Sequence, residues 1–222
     1  FRTVPSDALG GRAIARALRS REYNTVADYS EMTLAVGNQE VFQSFKQPIQ
    51  SSFEEFGGSV AESFDLKTGK ASYESEAQTI VSSDPEITTL VASKDDSIRI
   101  MRAAFQAGYE GNWYVTQDQT TEVFLDEAPE EVTQGILGLQ SAPYQEAEEA
   151  GRIDAFQDRV REYTGGEPKQ FARNAYDAMN TLGLAMQATA AAGDDVAPSN
   201  VAGNIRTVTD PADTVVTNYT DG

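Results

Sequence analysis

Apolar positions fall into two regimes along these 222 residues. In the first, short β-branched or apolar runs alternate with stretches whose apolar residues recur at helical spacing. The runs at 24–29 (NTVADY), 59–64 (SVAESF), 87–92 (ITTLVA), 112–115 (NWYV) and 135–139 (GILGL) read as strands. Between them the spacing predicts helices over 8–19, 38–56, 73–81 and 98–107, and a short acidic helix over 118–127. Ser6 and Asp7 offer an N-cap to the first helix and Asn38 to the second, which Gly57 and Gly58 stop. Pro48 predicts a kink or break inside that second helix. The near-continuous apolar character of ITTLVA suits a strand covered on both faces. Strand–helix alternation with short connections predicts an α/β fold, a doubly wound parallel sheet.

After residue 140 the pattern turns to helices alone, at 146–162, 168–192 and 199–206, followed by a Thr/Asp-rich, loop-like tail over 207–222. The change places a boundary near 138–143, between a sheet domain over 1–140 and a helical segment over 141–222. Gly165 and Gly166 end one helix, Glu167-Pro168 opens the long one, and Gly193 stops it. Within it Ala172, Ala175, Tyr176, Met179, Leu182 and Met186 carry the spacing of a buried face.

Charge narrows the partners. Seventeen basic against 35 acidic residues leave a net charge of −18, the wrong sign for nucleic acid or an anionic membrane surface. Lys46, Lys67, Lys70, Lys94 and Lys169 are the only lysines. An acidic, lysine-poor composition resembles that of halophile proteins, whose hydrated carboxylates keep them soluble when salt screens ordinary repulsion. The chain has neither Cys nor His, which removes disulfides, thiol nucleophiles, Cys/His zinc sites and imidazole catalysis. No apolar run approaches the roughly 20 residues that span a bilayer. The first residue is Phe1, and no signal peptide follows it; the expectation is a processed or truncated piece of a longer protein.

In an open α/β sheet the ligand crevice lies at the carboxyl ends of the strands. That rule selects Ser30, Glu31, Thr33, Val36, Gly37 and Asn38 after the first strand. It selects Ser93, Lys94, Asp95 and Asp96 after the third, and Thr116, Gln117, Asp118 and Gln119 after the fourth. Polar residues in such loops are also what solvation alone produces. Neither dinucleotide-binding glycines, a phosphate-binding loop nor a nucleophile elbow is present. Asp95, Asp96 and Asp118 are the carboxylates that a cation-dependent enzyme would use.

The stretch Y-x-G-G-x-P-x-x-F-A-x-x-A-Y-D-A-M at 163–179 resembles type I periplasmic binding proteins, nearest to the branched-chain amino acid receptors of ABC transporters. FRTVPSDALGGRAIARAL at 1–18 and IMRAAFQAGYEGNWYVTQD at 100–118 resemble two further segments of that family. The resemblance implies a solute-binding receptor without catalysis or cofactor, placed outside the cytoplasm and possessing ABC permease subunits as partners. It implies that 1–140 is the second of two lobes. It also implies that the later helices pack on a first lobe, most of which has no counterpart here, leaving the face from Ala172 to Met186 uncovered. In the family an acidic residue after the fourth strand holds an α-ammonium, and Asp118 matches it. Ser93 stands where the family often has Tyr, and Val36-Gly37 where it has Tyr-Gly. These residues, together with Lys94 and Gln117 from the same strand-end loops, are the expected ligand-binding set. The substitutions favour an amino acid-like or other small polar ligand over a hydrophobic one. A ligand-sensing ectodomain of a signalling receptor on the same fold is the alternative.

Overall fold

A computed structural model describes residues 3–20, 28–141, 151–169 and 171–209, with the Asp118 side chain outside that description. The chain forms two units: 6–141, and a second built from 1–5 with 142–222.

The first unit runs α1 (Asp7–Leu18), β1 (Glu31–Gly37), α2 (Glu40–Glu55), β2 (Ser59–Leu66), α3 (Glu74–Ser83), β3 (Ile87–Val91), α4 (Lys94–Gln106), β4 (Asn112–Val115), a 3₁₀ turn (Gln117–Gln119), α5 (Glu122–Glu127), α6 (Glu130–Thr133) and β5 (Leu137–Gly138). Its sheet has the order β2-β1-β3-β4-β5, and every pairing is parallel. Side chains that alternate along a strand enter opposite cores. Met32, Leu34 and Val36 of β1, Ile87 and Val91 of β3, and Tyr114 of β4 meet α1 and α2 on one face. Ala35, Leu90, Trp113 and Val115 meet α3, α4, α5 and α6 on the other. The threonines among these apolar runs are buried with partners: Thr33 Oγ1 lies 2.8 Å from Ser83 Oγ, and Thr88 Oγ1 donates to the Tyr109 hydroxyl at 2.9 Å. β2 is an edge strand with a bulge that leaves Ala61 out of its register with β1.

The first strand is not at 24–29, where the run NTVADY predicted it. Residues 24–27 lie outside the described residues, Asp28 and Tyr29 are not strand, and β1 is the following segment, Glu31–Gly37. Six of its seven residues are buried, so it is a central strand whose apolar run had been read as a loop. Glu31, Thr33, Val36 and Gly37 therefore belong to the strand itself. Pro48 does not break α2, which continues from Glu40 to Glu55. α4 begins at Lys94 rather than Ile98, because the Ser93 hydroxyl caps it by accepting from Asp96 N–H. β5 shrinks to two residues.

α1 and α2 approach closely at Gly11. A Cβ there would lie 2.7 Å from Pro48 Cβ and 2.9 Å from the Ile49 backbone nitrogen. Gly11→Ala is expected to destabilise by about 1–3 kcal/mol, because the helices must separate. That outweighs the roughly 1 kcal/mol of helix propensity gained. Gly10→Ala is the control, since its new methyl meets only the Phe45 ring, which can turn aside. Urea unfolding checks the pair, and a Gly11→Ala protein as stable as the parent would contradict the close approach.

The second unit contains α7 (Arg152–Thr164), α8 (Ala172–Ala191) and α9 (Pro198–Thr209). Residues 146–150 of the expected first helix and 210–222 of the tail lie outside the described residues. α8 starts at Ala172, four residues after Pro168, with Phe171 in the left-handed region at φ 63°. Asn174 donates to the Thr3 carbonyl, which ties 1–5 to this unit. The buried side of α8 is Ala185 and Thr189, facing α9 through Asn204. The stripe that its spacing marks as a burying face is open in this chain, as the resemblance implies: Met179 is 67% exposed, and Leu182 and Met186 are exposed too.

Candidate functional site

β1 and β3 are neighbours, yet the helices that follow them cover opposite faces of the sheet: α2 with one core, α4 with the other. The crevice between their carboxyl ends is therefore the topological switch point, where open α/β sheets bind ligands. The turns after β1, β2, β3 and β4 converge along this edge, and hydrogen bonds join them in series. Asn38 N–H donates to Leu66 O at 2.8 Å, and the Asn38 side-chain oxygen accepts from Thr68 N–H and Thr68 Oγ1. Asp96 accepts from Gly69 N–H at 3.0 Å and from the Tyr73 hydroxyl at 2.7 Å, while its other oxygen accepts from Ser93 Oγ at 2.8 Å. Gln119 donates to Ala92 O at 2.6 Å and to Ser97 Oγ at 3.1 Å, and accepts from Thr116 Oγ1. Burial, reinforced by the Asp96 carboxylate, pushes the Tyr73 hydroxyl up to about 12.

The candidate residues divide accordingly. Val36 points into the core with no exposed surface, so only the backbone of Val36-Gly37 reaches the edge. Gly37 lies beneath the Phe42 ring, and its carbonyl accepts from Gln43. Ser93 is half-buried, with its hydroxyl engaged by Asp96 in both directions. Lys94 pairs with Glu127 at 2.5 Å, and that hydrogen bond raises its pKa. Gln117 is half-buried in the 3₁₀ turn, beside Asp118. Ser30 and Glu31 lie at the opposite end of β1, where both of their backbone N–H groups donate to Glu86. Asp95 is exposed beside Lys94, whereas Asp96 is buried, and among the described residues no group of three or more carboxylates could hold a metal ion.

Sequence reasoning placed Asp96 and Gln119 in these loops but did not separate them from their solvated neighbours. It missed Tyr73 and Thr68 as members of the edge. One signal was present: Ser93-x-x-Asp96 is the spacing of a capping box.

The profile of a family described as periplasmic binding protein matches residues 1–220. The chain belongs to this family. None of the curated protein sequences compared with it matches. Solved structures share its fold. A candidate branched-chain amino acid ABC transporter from Rhodospirillum rubrum is 17% identical, with a TM-score of 0.70 over 99% of this chain and 59% of that one. A leucine binding protein from Thermotoga maritima is 20% identical, with a TM-score of 0.69 over 90% of this chain and 54% of that one. An extracellular ligand-binding receptor from Rhodopseudomonas palustris is 13% identical, with a TM-score of 0.71 over 92% and 57%. The chain thus spans little more than half the length of these binding proteins. Among its described residues no helix is long and apolar enough to cross a membrane.

Proposed function

We propose that this chain is the second lobe, with its associated helices, of an extracytoplasmic solute-binding component of an ABC importer. The carrying observation is the family match over 1–220, together with the switch-point edge that it covers. The ligand is an amino acid or a related small polar molecule. Around the edge the exposed or half-buried groups are polar: the amides and hydroxyls of Asn38, Gln39, Thr68, Thr116, Gln117 and Thr120, and the charged Lys94 and Asp95. A branched aliphatic ligand would need apolar walls instead. Asp118, which matches the family's acidic residue after the fourth strand, would supply the negative charge that an α-ammonium requires, and Val36, Gly37, Gln117, Ser93 and Lys94 are the other residues assigned to the ligand. The uncovered stripe of Met179, Leu182 and Met186 is the surface on which a first lobe packs. A net charge of −18 with five lysines supports a high-salt setting.

Calorimetry of the natural full-length protein in high salt, against the amino acids and a set of small amides and organic acids, tests the proposal. Binding of at least one member is expected, with Asp118→Ala weakening amine ligands by about 2 kcal/mol or more, the cost of losing a charged hydrogen-bond partner. If no member binds, the solute reading fails. Unchanged amine binding by Asp118→Ala removes Asp118 from the site.

A further inference from the structure

We infer that Asp96 and Gln119 are positioning residues of the solute edge: they hold the turns after β2, β3 and β4 in one arrangement before any ligand arrives, and touch no ligand themselves. The inference rests on the solute-binding reading of this edge.

Burial carries the first part of the argument. Asp96 is 3% exposed and Gln119 1%. Burying a carboxylate or an amide is costly unless its polar atoms are matched. Here each one is matched by a group on a turn. Asp96 gathers Gly69 N–H and the Tyr73 hydroxyl from the β2–α3 connection and Ser93 Oγ from the turn after β3. Gln119, at the end of the 3₁₀ turn after β4, reaches back to Ala92 O and Ser97 Oγ and is itself held by Thr116. The short segment 92–97 is thus tied on both sides: Asp96 reaches out from it to the β2–α3 connection, and Gln119 reaches into it from the turn after β4.

Chemistry carries the second part. An apolar side chain would fill either space without needing partners, but apolar contact has no direction. Hydrogen bonds fix both distance and angle, and a fully satisfied buried network rigidifies its surroundings. Asn38 and Thr68 carry the series on to the turn after β1. Four turns from both sides of the switch point are thereby fixed together, and ordering them beforehand lowers the entropy that a ligand must offset.

The test uses the natural full-length protein and two readouts. In Asp96→Ala, amide hydrogen exchange at Gly69 should quicken about tenfold, as expected for one lost hydrogen bond. In Gln119→Met, exchange over 93–97 should quicken similarly. Affinity for the tightest-binding member of the amino acid and amide set should fall about tenfold in both, because ordering entropy returns to the binding step. Asp96→Asn should restore both readouts, since its oxygen still accepts from Tyr73 and Gly69 while its amide donates to Ser93. Tyr73→Phe removes a single bond and should give a partial effect, which keeps the test usable if Asp96→Ala fails to fold. Unchanged exchange, or faster exchange with undiminished affinity, would overturn the positioning role; so would failure of Asp96→Asn to rescue. If the unaltered protein binds no member of the set, the solute reading fails, and exchange alone then decides whether these residues hold the turns.

Discussion

Phe53→Ala is expected to destabilise the α/β unit by about 3–5 kcal/mol, the range for deleting a large aromatic ring from a packed core. Phe53 has no exposed surface and lies in the same core as Ile14, Leu18, Met32, Leu34 and Ile49. Two elements are fitted to its ring. α2 presents it to β1, and Gly58, directly after that helix, passes so close that a Cβ would collide with it. The chain cannot collapse into the space by a local shift without moving the connection into β2. Val41→Ala on the same helix is the comparison, because Val41 is 62% exposed. Urea unfolding followed by far-ultraviolet circular dichroism gives both values. A loss below about 1 kcal/mol for Phe53→Ala, the size of a typical surface or mild substitution, would mean that this face of the sheet is not packed as described.

Alkaline unfolding is the second large effect. Tyr109 and Tyr114 are buried, and burial pushes both hydroxyls up to about 12; Tyr73 reaches the same value. A phenol whose folded pKa exceeds its unfolded one, near 10, stabilises the fold fully below pH 10. That contribution disappears as pH rises from about 10 to 12, since the unfolded chain releases the proton first. Each group can remove about 1.4 kcal/mol per pH unit across that window, and three acting together are enough to unfold a domain of ordinary stability. Of nine tyrosines in the chain, these three, with the buried Tyr29 whose hydroxyl burial also raises, should ionise late and together with loss of structure, as read by phenolate absorbance and circular dichroism in one titration. Ionisation of all nine in a single step near pH 10, with structure intact, would contradict their burial. Tyr109→Phe should leave the others late, and it also removes the acceptor of Thr88 and the donor to Asn112 O.

The sheet was legible in the sequence wherever a strand was short, β-branched and closed by turn residues. NWYV between Gly111 and Thr116 is strand β4, and ITTLV is β3. β1 was not: EMTLAVG opens on an acidic residue and ends in Gly, which reads as a connection, whereas NTVADY just before it carries a β-branched Thr-Val pair and ends on Tyr. The period-two set Met32, Leu34 and Val36 that enters one core was the signal that marked the strand. The location of the site followed from the general rule about carboxyl ends. The condition of its residues did not. Lys94 is engaged by Glu127, 33 positions away, and Asp96 by Tyr73, 23 positions away, and no local spacing announces such pairs. On α8 the stripe of Met179, Leu182 and Met186 was legible and is exposed, as the resemblance implied; the side that packs within this unit, Ala185 and Thr189 near Val201, was not, because an Ala-rich helix offers small apolar residues on several sides.

The bulge at Ala61 bears on self-assembly. An edge strand offers unpaired backbone groups to any other extended chain, and a flat one templates fibre growth. β2 is bent out of regular phase by its extra residue. Its exposed Glu62 would bring like charges together if a second copy lined up beside it, whereas Asp65 is paired with Lys46. Lys46 and Gln43 hold the Asp65 carboxyl below its ordinary range. The edge thus opposes sheet-to-sheet growth through its shape first, the bulge at Ala61, and through the Glu62 carboxylate second.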